Sequence, residues 1–469
     1  MPIVLNRVER QSYRDSVALM RISRALAERP GIEEAALMIG TPSNKALMRE
    51  AGLLAADGEP AGANDLIIAL RAADAASAAS ALEAAVALLA ERPADAQAGG
   101  PPLARTLDGA LAQLPGANLA LISVPGEFAA HEARRALALG LNVLVFSDNV
   151  PLDEELALKR SAREKGLLLM GPDCGTALIG GAPIAFANVV PRGEVGIVSA
   201  SGTGLQEVSS LIARLGGGVS HGIGVGGRDL DARIGALGTL SAIDALERDP
   251  GTREIVLISK PPAPEVAALV LERIRRSAKP FITCLLGQQE AKLPGNARLA
   301  RTLAEAAELA TSRKIPGEKQ KLRASGWVRG LYCGGTLCAE AEMIFRQKGL
   351  RIGSNANTFV DLGDDEYTRG RPHPMIEPEL RNDHVRQALA DPAVGVVLVD
   401  VVLGFGSHPD PAGVLLQNDV SAKPVIASVT GTERDPQVYS RQVAALREAG
   451  ILVAASNAHA ASLAAQASP

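Results

Sequence analysis

Short apolar runs alternate with stretches of helical period from one end of this chain to the other. Apolar runs bounded by turn residues read as buried strands, and i, i+3, i+4 spacing reads as helices laid on them. The first segment predicts strands at Glu34–Ile39, Asp65–Ala69, Leu119–Val124, Val143–Phe146 and Leu167–Met170, with an Ala-rich helix at Ala75–Ala90. Pro93–Pro102, rich in Ala, Gly and Pro, reads as a loose excursion. From Gly193 the rhythm gives strands Gly196–Ser199, Ser220–Val225, Glu254–Ser259 and Pro280–Leu285. A third segment repeats it with Val328–Cys333, Thr358–Leu362, Val394–Val401, Pro424–Val429 and Leu452–Ala455. Strands alternating with helices imply parallel α/β domains. The expected boundaries are 1–190, 191–312, a linker at 313–325, and 326–469.

The second and third segments align as copies. Val195-Gly196-Ile197-Val198-Ser199-Ala200-Ser201-Gly202-Thr203 matches Val328-Arg329-Gly330-Leu331-Tyr332-Cys333-Gly334-Gly335-Thr336 without a gap at Val, Gly and Thr. Glu207 then falls on Glu340 and Gly216 on Gly349, while Ala278-Lys279-Pro280 echoes Ala422-Lys423-Pro424. The pattern predicts a duplicated α/β unit.

Composition narrows the class. Apolar residues are 47% and charged residues 21% of 469, ordinary for a chain with a core, and aromatics are only 3%. A formal charge of −4 excludes the basic stripe of a nucleic-acid binder. The basic run Ser312–Arg323 reads as solvated linker. Cys174, Cys284, Cys333 and Cys338 form no metal-type spacing, so no metal site is expected, and a reducing, cytoplasmic setting is. Met1-Pro2-Ile3-Val4 opens no signal peptide, and no apolar run has the length of a membrane span.

Candidate chemistry concentrates at strand ends. Each copy carries a strand–Gly–Thr–helix turn, at Ser201-Gly202-Thr203 and Gly334-Gly335-Thr336, with Thr203 the expected N-cap of its helix. Free N–H groups and the helix dipole make such a start an anion cradle, here for phosphate. Glu207 and Glu340, one turn in, are candidate catalytic acids or dipole complements. The loop Asp361–Met375 puts Arg371 forward as an anion clamp and His373 as a proton donor. Gly171-Pro172-Asp173-Cys174 reads as a rigid turn exposing an acid and a thiol. Gly222-Ile223-Gly224-Val225-Gly226-Gly227 lies within a strand, so it is not a dinucleotide fingerprint.

At these residues the chain resembles the succinyl-CoA synthetase superfamily, and within it the FdrA family. Leu121 through Ile179 is similar to the CoA-binding domain of the ligase α-subunit, with Gly171-Pro172-Asp173-Cys174-Gly175 where ligases carry Gly-Pro-Asn-Cys. The Gly193–Thr203 and Gly334–Thr336 segments resemble the phosphate-binding helices of the two ligase subunits. FdrA-type stretches include Gly40-Thr41-Pro42-Ser43-Asn44-Lys45, Gly226-Gly227-Arg228-Asp229-Leu230, Gly370-Arg371-Pro372-His373-Pro374 and Thr430-Gly431-Thr432-Glu433-Arg434-Asp435-Pro436.

The resemblance implies a Rossmann-like CoA-binding-type domain followed by two flavodoxin-like succinyl-CoA-synthetase-type domains. It also implies substrate-binding roles for Asp173, Cys174, Arg228, Thr432 and Arg434. Gly287–Asn296, where ligases carry a phosphate-relay histidine, has none, and no ATP-grasp domain is evident. The function implied is that of an oxamate carbamoyltransferase subunit in allantoin degradation. It would work with companion subunits, turning oxalurate and phosphate into oxamate and carbamoyl phosphate. CoA or Mg is left open as cofactor. Two alternatives stay open: an acyl-CoA ligase subunit with a separate ATP-grasp partner, and a non-catalytic scaffold.

Overall fold

The computed structural model describes residues 2–12, 14, 16–90, 104–287, 292–316, 322, 326–368 and 373–468. The chain falls into two compact units, one ending at Gln113 and the other beginning at Leu114. The first contains β1 (Ile3–Glu9), α1 (Ser16–Ala27), β2 (Ile32–Ile39), α2 (Pro42–Glu50), β3 (Leu66–Ala72), α3 (Ala75–Ala90) and α4 (Leu107–Gln113). Its sheet has the order β1-β3-β2, and both pairings are antiparallel. Central β3 is buried along nearly its whole length. Leu66, Ile68 and Leu70 pack with Leu19 and Leu26 of α1 and with Ala78, Ala81 and Ala85 of α3.

The span 1–190, read from the sequence as one domain, therefore divides. Apolar periodicity reports which residues are buried but not strand direction, so an antiparallel sheet was indistinguishable from a parallel one.

The second unit opens with β4 (Leu119–Ile122), α5 (Gly126–Ala138), β5 (Asn142–Val145), α6 (Leu152–Glu164) and β6 (Leu169–Met170), a parallel sheet of three strands. A hairpin, β7 (Thr176–Ile179) and β8 (Ala182–Ala185), leads into the first copy. That copy holds β9 (Arg192–Ser199), α7 (Gly202–Arg214), β10 (Val219–Gly224), α8 (Leu237–Arg248), β11 (Glu254–Ser259), α9 (Pro264–Arg275), β12 (Phe281–Leu285), β13 (Ala297–Leu299) and α10 (Leu303–Thr311). The second copy holds β14 (Trp327–Tyr332), α11 (Gly335–Gln347), β15 (Thr358–Asp361), α12 (Asp365–Thr368), α13 (Asn382–Ala390) and β16 (Val394–Val402). It ends with α14 (Pro411–Leu415), β17 (Val425–Thr430), α15 (Tyr439–Glu448), β18 (Leu452–Ala454) and α16 (Asn457–Ala464).

Strand order bears on the duplication. The first copy reads β10-β9-β11-β12-β13 and the second β15-β14-β16-β17-β18. Numbered within each copy, both are 2-1-3-4-5, the flavodoxin-like order, with every pairing inside a copy parallel. One apolar core runs through both: Leu205, Val208 and Ile212 of α7 meet Leu337, Ala341 and Phe345 of α11 and Ala460 and Ala464 of α16. The glycine run at β10 allows close packing, since a Cβ on Gly224 would stand 2.6 Å from Cys174 Sγ. Among the described residues no helix is long and apolar enough to cross a membrane.

Candidate functional site

The two anion turns lie at the carboxyl ends of β9 and β14, the first strand of each copy and the ligand edge of an open α/β sheet. At the first, Ser201 caps α7, its Oγ accepting the Gly204 N–H at 2.9 Å. Ser199 Oγ braces the turn, donating to the Ser201 carbonyl at 2.7 Å and accepting the Ser201 N–H at 3.1 Å. Thr203, expected from the sequence as the cap, is instead the second helical residue and is buried. Its methyl faces the other copy: a Cβ on Gly334 would stand 2.9 Å from Thr203 Cγ2 and 3.1 Å from Asp400 Oδ2. The two helix starts thus meet, and Gly334 is the residue that lets them.

The second turn is built differently. Gly334 caps α11 with no side chain. Asp400, from the middle of β16, reaches under it and accepts the Cys333 and Gly334 N–H groups, each at 2.8 Å. Fully buried Arg381 pairs with that carboxylate at 3.1 Å and donates to the Asp400 carbonyl at 2.6 Å. Burial still raises the Asp400 carboxyl above its ordinary range, against Arg381 and the two N–H donors. Asp361, at the end of β15, sets a carboxylate oxygen against Gly335, and burial pushes its carboxyl up to about 6. Lys260, just past β11, acts on Asp361 and Cys338 as a nearby positive charge.

His373 belongs to this end of the second copy. Gly363 makes room for its ring: a Cβ there would stand 2.5 Å from Nε2 and 2.7 Å from the Cys333 carbonyl oxygen. Nδ1 accepts the Met375 N–H at 3.2 Å, and burial lowers the imidazole to about 4. The ring is therefore neutral at pH 7, with Nε2 as its N–H donor. Arg371 lies outside the described residues.

Glu207 and Glu340 do not serve the anion turns. Glu207 accepts from Thr430 Oγ1 at 2.5 Å and from the Asn457 N–H, the first of α16, at 3.1 Å. Glu340 accepts from the Leu303 N–H, the first of α10, at 2.6 Å and from Asn457 Nδ2 at 2.8 Å. Each copy's glutamate thus caps the last helix of the other copy, a reciprocal clasp in the shared core. Both are fully buried, which raises the Glu207 carboxyl and lifts Glu340 to about 7. All four carboxylate oxygens of the pair are engaged inside the core, which leaves neither carboxylate facing the Gly-Thr turns as a catalytic acid.

The remaining candidates split. Cys174 is buried, and burial pushes its thiol up to about 12, so it is no nucleophile at neutral pH. Asp173 is exposed on a left-handed turn (φ 54°). Arg228 holds the start of α6, bonding the Val150 carbonyl and Glu155 at 2.8 Å each. Thr432 donates to the Val189 carbonyl at 2.7 Å and gives its N–H to Asp435 at 2.7 Å, tying the loop after β17 to the segment that leads into β9. Arg434 beside it is exposed. The sequence reading missed Asp400, Arg381 and Lys260. A lone acid inside the apolar run Val394–Val402 was the available signal for Asp400.

Two family models match. Residues 331–467 match the CoA-ligase family, and residues 1–102 match "AllF, heavy metal-associated domain". The latter span contains neither cysteine nor histidine. The α-subunit 2 of succinate–CoA ligase (ADP-forming) from Archaeoglobus fulgidus is 32% identical over 36% of this chain and 59% of its own length. The structure of PH0766 from Pyrococcus horikoshii OT3 covers 74% of this chain and 83% of its own, at 18% identity and a TM-score of 0.34. The uncharacterized protein YahF of Escherichia coli (strain K12) is 41% identical over 96% of both chains. This chain therefore belongs to the YahF family, CoA-ligase-like α/β proteins with an AllF-type N-terminal domain.

Proposed function

We propose that this chain is the phosphate-holding subunit of a carbamoyltransferase of the oxamate type, acting with companion subunits in allantoin nitrogen catabolism. One observation carries the reading: Thr203 packs on Gly334, so two helix N-termini converge where one phosphate can take N–H donors from both. The FdrA-type stretches and the AllF description of the N-terminal match support the pathway. The ligase relatives described as subunits support partner chains.

In this reaction a phosphate oxygen attacks the carbamoyl carbon of oxalurate. The C–N bond to the leaving amide breaks, and the hydrogenphosphate proton ends on the oxamate nitrogen. Atoms and charge balance with no outside acid. That suits a neutral His373, whose Nε2–H can polarise a carbonyl without giving up its proton. Helix-end donors stabilise charge as it spreads from phosphate to the carbamoyl oxygen. Arg371 remains a clamp proposed from sequence.

A ligase reading would need CoA. In the three-stranded parallel sheet the Asp148–Asn149 backbone lies against Gly126 at the start of α5, since a Cβ there would collide with it. No step of the proposed reaction is routed through CoA. The test is to purify the chain with its companion subunits and assay carbamoyl phosphate from oxalurate and phosphate. Activity that falls at least tenfold in His373→Ala and in Arg371→Ala supports the site. Full activity in both variants removes it, and CoA-dependent ADP formation would favour the ligase.

A further inference from the structure

The second helix has a neighbour that the phosphate reading leaves unused. A cavity of ≈ 360 Å³ opens between the carboxyl ends of β11 and β12 and one face of α11. That volume is in the range of small-molecule sites, roughly 300–1,000 Å³. Its apolar walls include Leu286, Ala339 and Met343, and its charged groups are Lys260, Glu342 and Arg346. Glu342 and Arg346 pair with each other one turn apart on α11. Lys260 is exposed and makes no salt bridge among the described residues, with Asp361 the negative charge it acts on nearby.

Position ties the cavity to the turns. β11 lies beside β9, and the Ala200 N–H donates to the Ile258 carbonyl at 3.0 Å, so Lys260 emerges next to the Ser201 turn. Ala339, one turn into α11, carries the same wall to the Gly334 turn.

We infer that this cavity holds the organic acid of the reaction, with Lys260 binding its carboxylate beside a phosphate seated at the two helix starts. The inference rests on the proposed phosphate site and adds where the second substrate lies. An ammonium on a flexible stem suits a small carboxylate as a point charge, and the apolar walls flank the rest of a small organic acid. The one lining carboxylate, Glu342, is paired with Arg346.

The experiment is calorimetric titration of the full chain with oxamate and, separately, with inorganic phosphate. The wild type, Lys260→Ala and Ala339→Phe, which fills the cavity, are compared, with folding checked by circular dichroism. The expected result is oxamate binding weakened about tenfold or more in both variants, with phosphate binding by Lys260→Ala within about twofold of wild type. Oxamate affinity unchanged in either folded variant, or no oxamate binding by a wild type that binds phosphate, overturns the inference and leaves the phosphate site standing. Loss of phosphate rather than oxamate in Lys260→Ala would also overturn it, moving Lys260 to the phosphate. No phosphate binding in any form strikes the underlying reading instead.

Discussion

The two copies share a strand order and a turn, yet they treat charge in opposite ways. At the first turn a neutral hydroxyl, Ser201, caps α7. At the second, Asp400 already holds two backbone N–H groups and Asp361 crowds Gly335. A phosphate placed between them would meet a neutral cap on one side and, on the other, the α11 start with two carboxylates close by. The copies keep one strand order and a turn at the same place, and they differ in whether a hydroxyl or a carboxylate braces that turn.

The largest expected effect comes from removing the acid that distinguishes the second turn. Asp400→Ala leaves the Arg381 guanidinium buried without its partner and should cost about 3–5 kcal/mol of stability, read by urea unfolding. A cost under about 1 kcal/mol would mean that the carboxylate does not support the turn. Next is the clasp that holds the copies together. Because burial raises Glu340 to about 7, the folded state holds a proton that the unfolded chain releases above its ordinary range near 4.5. The associated stability is fully present below about 4.5 and lost as pH rises through 7. Glu340→Gln should therefore gain on wild type as pH rises from 4.5 to 7, by on the order of 3 kcal/mol, then run parallel. Melting temperatures across pH 4.5–8 would read this, and a constant offset would count against the shift. The smallest effect is at the first turn, where Ser201→Ala should cost about 1 kcal/mol by loss of the cap. The same variant should weaken phosphate more than Thr336→Ala does, and the reverse order would invert the comparison.

Much of this was legible in the chain. Glu254–Ser259 and Ala75–Ala90 have the bounds their patterns predict, and the alignment of Val195–Thr203 with Val328–Thr336 anticipated both the repeated strand order and the paired turns. What escaped were facts settled between distant segments. Thr203 read as a cap because it follows Gly202, but the β-region backbone at Ser201 gives the cap to the earlier hydroxyl, and Thr203 goes to the copy interface. Glu207 and Glu340 read as acids near an anion because helical side chains lean toward their own N-terminus. Their partners, Asn457 and Leu303, stand on the final helices of the opposite copies, which local spacing does not report. Asp400 needed Arg381 and the Cys333–Gly334 backbone, brought to it only by the fold.

The central claim is one anion shared by two helix starts, and Gly334 is where it can be broken. Any side chain there would meet Thr203 Cγ2 and Asp400 Oδ2 and push the starts apart. Titrating phosphate into wild type and Gly334→Val by calorimetry is the direct measurement. One phosphate per chain, weakened at least tenfold in the folded variant, is the predicted result. Equal affinity in both, or two independent phosphates in the wild type, would contradict a shared site.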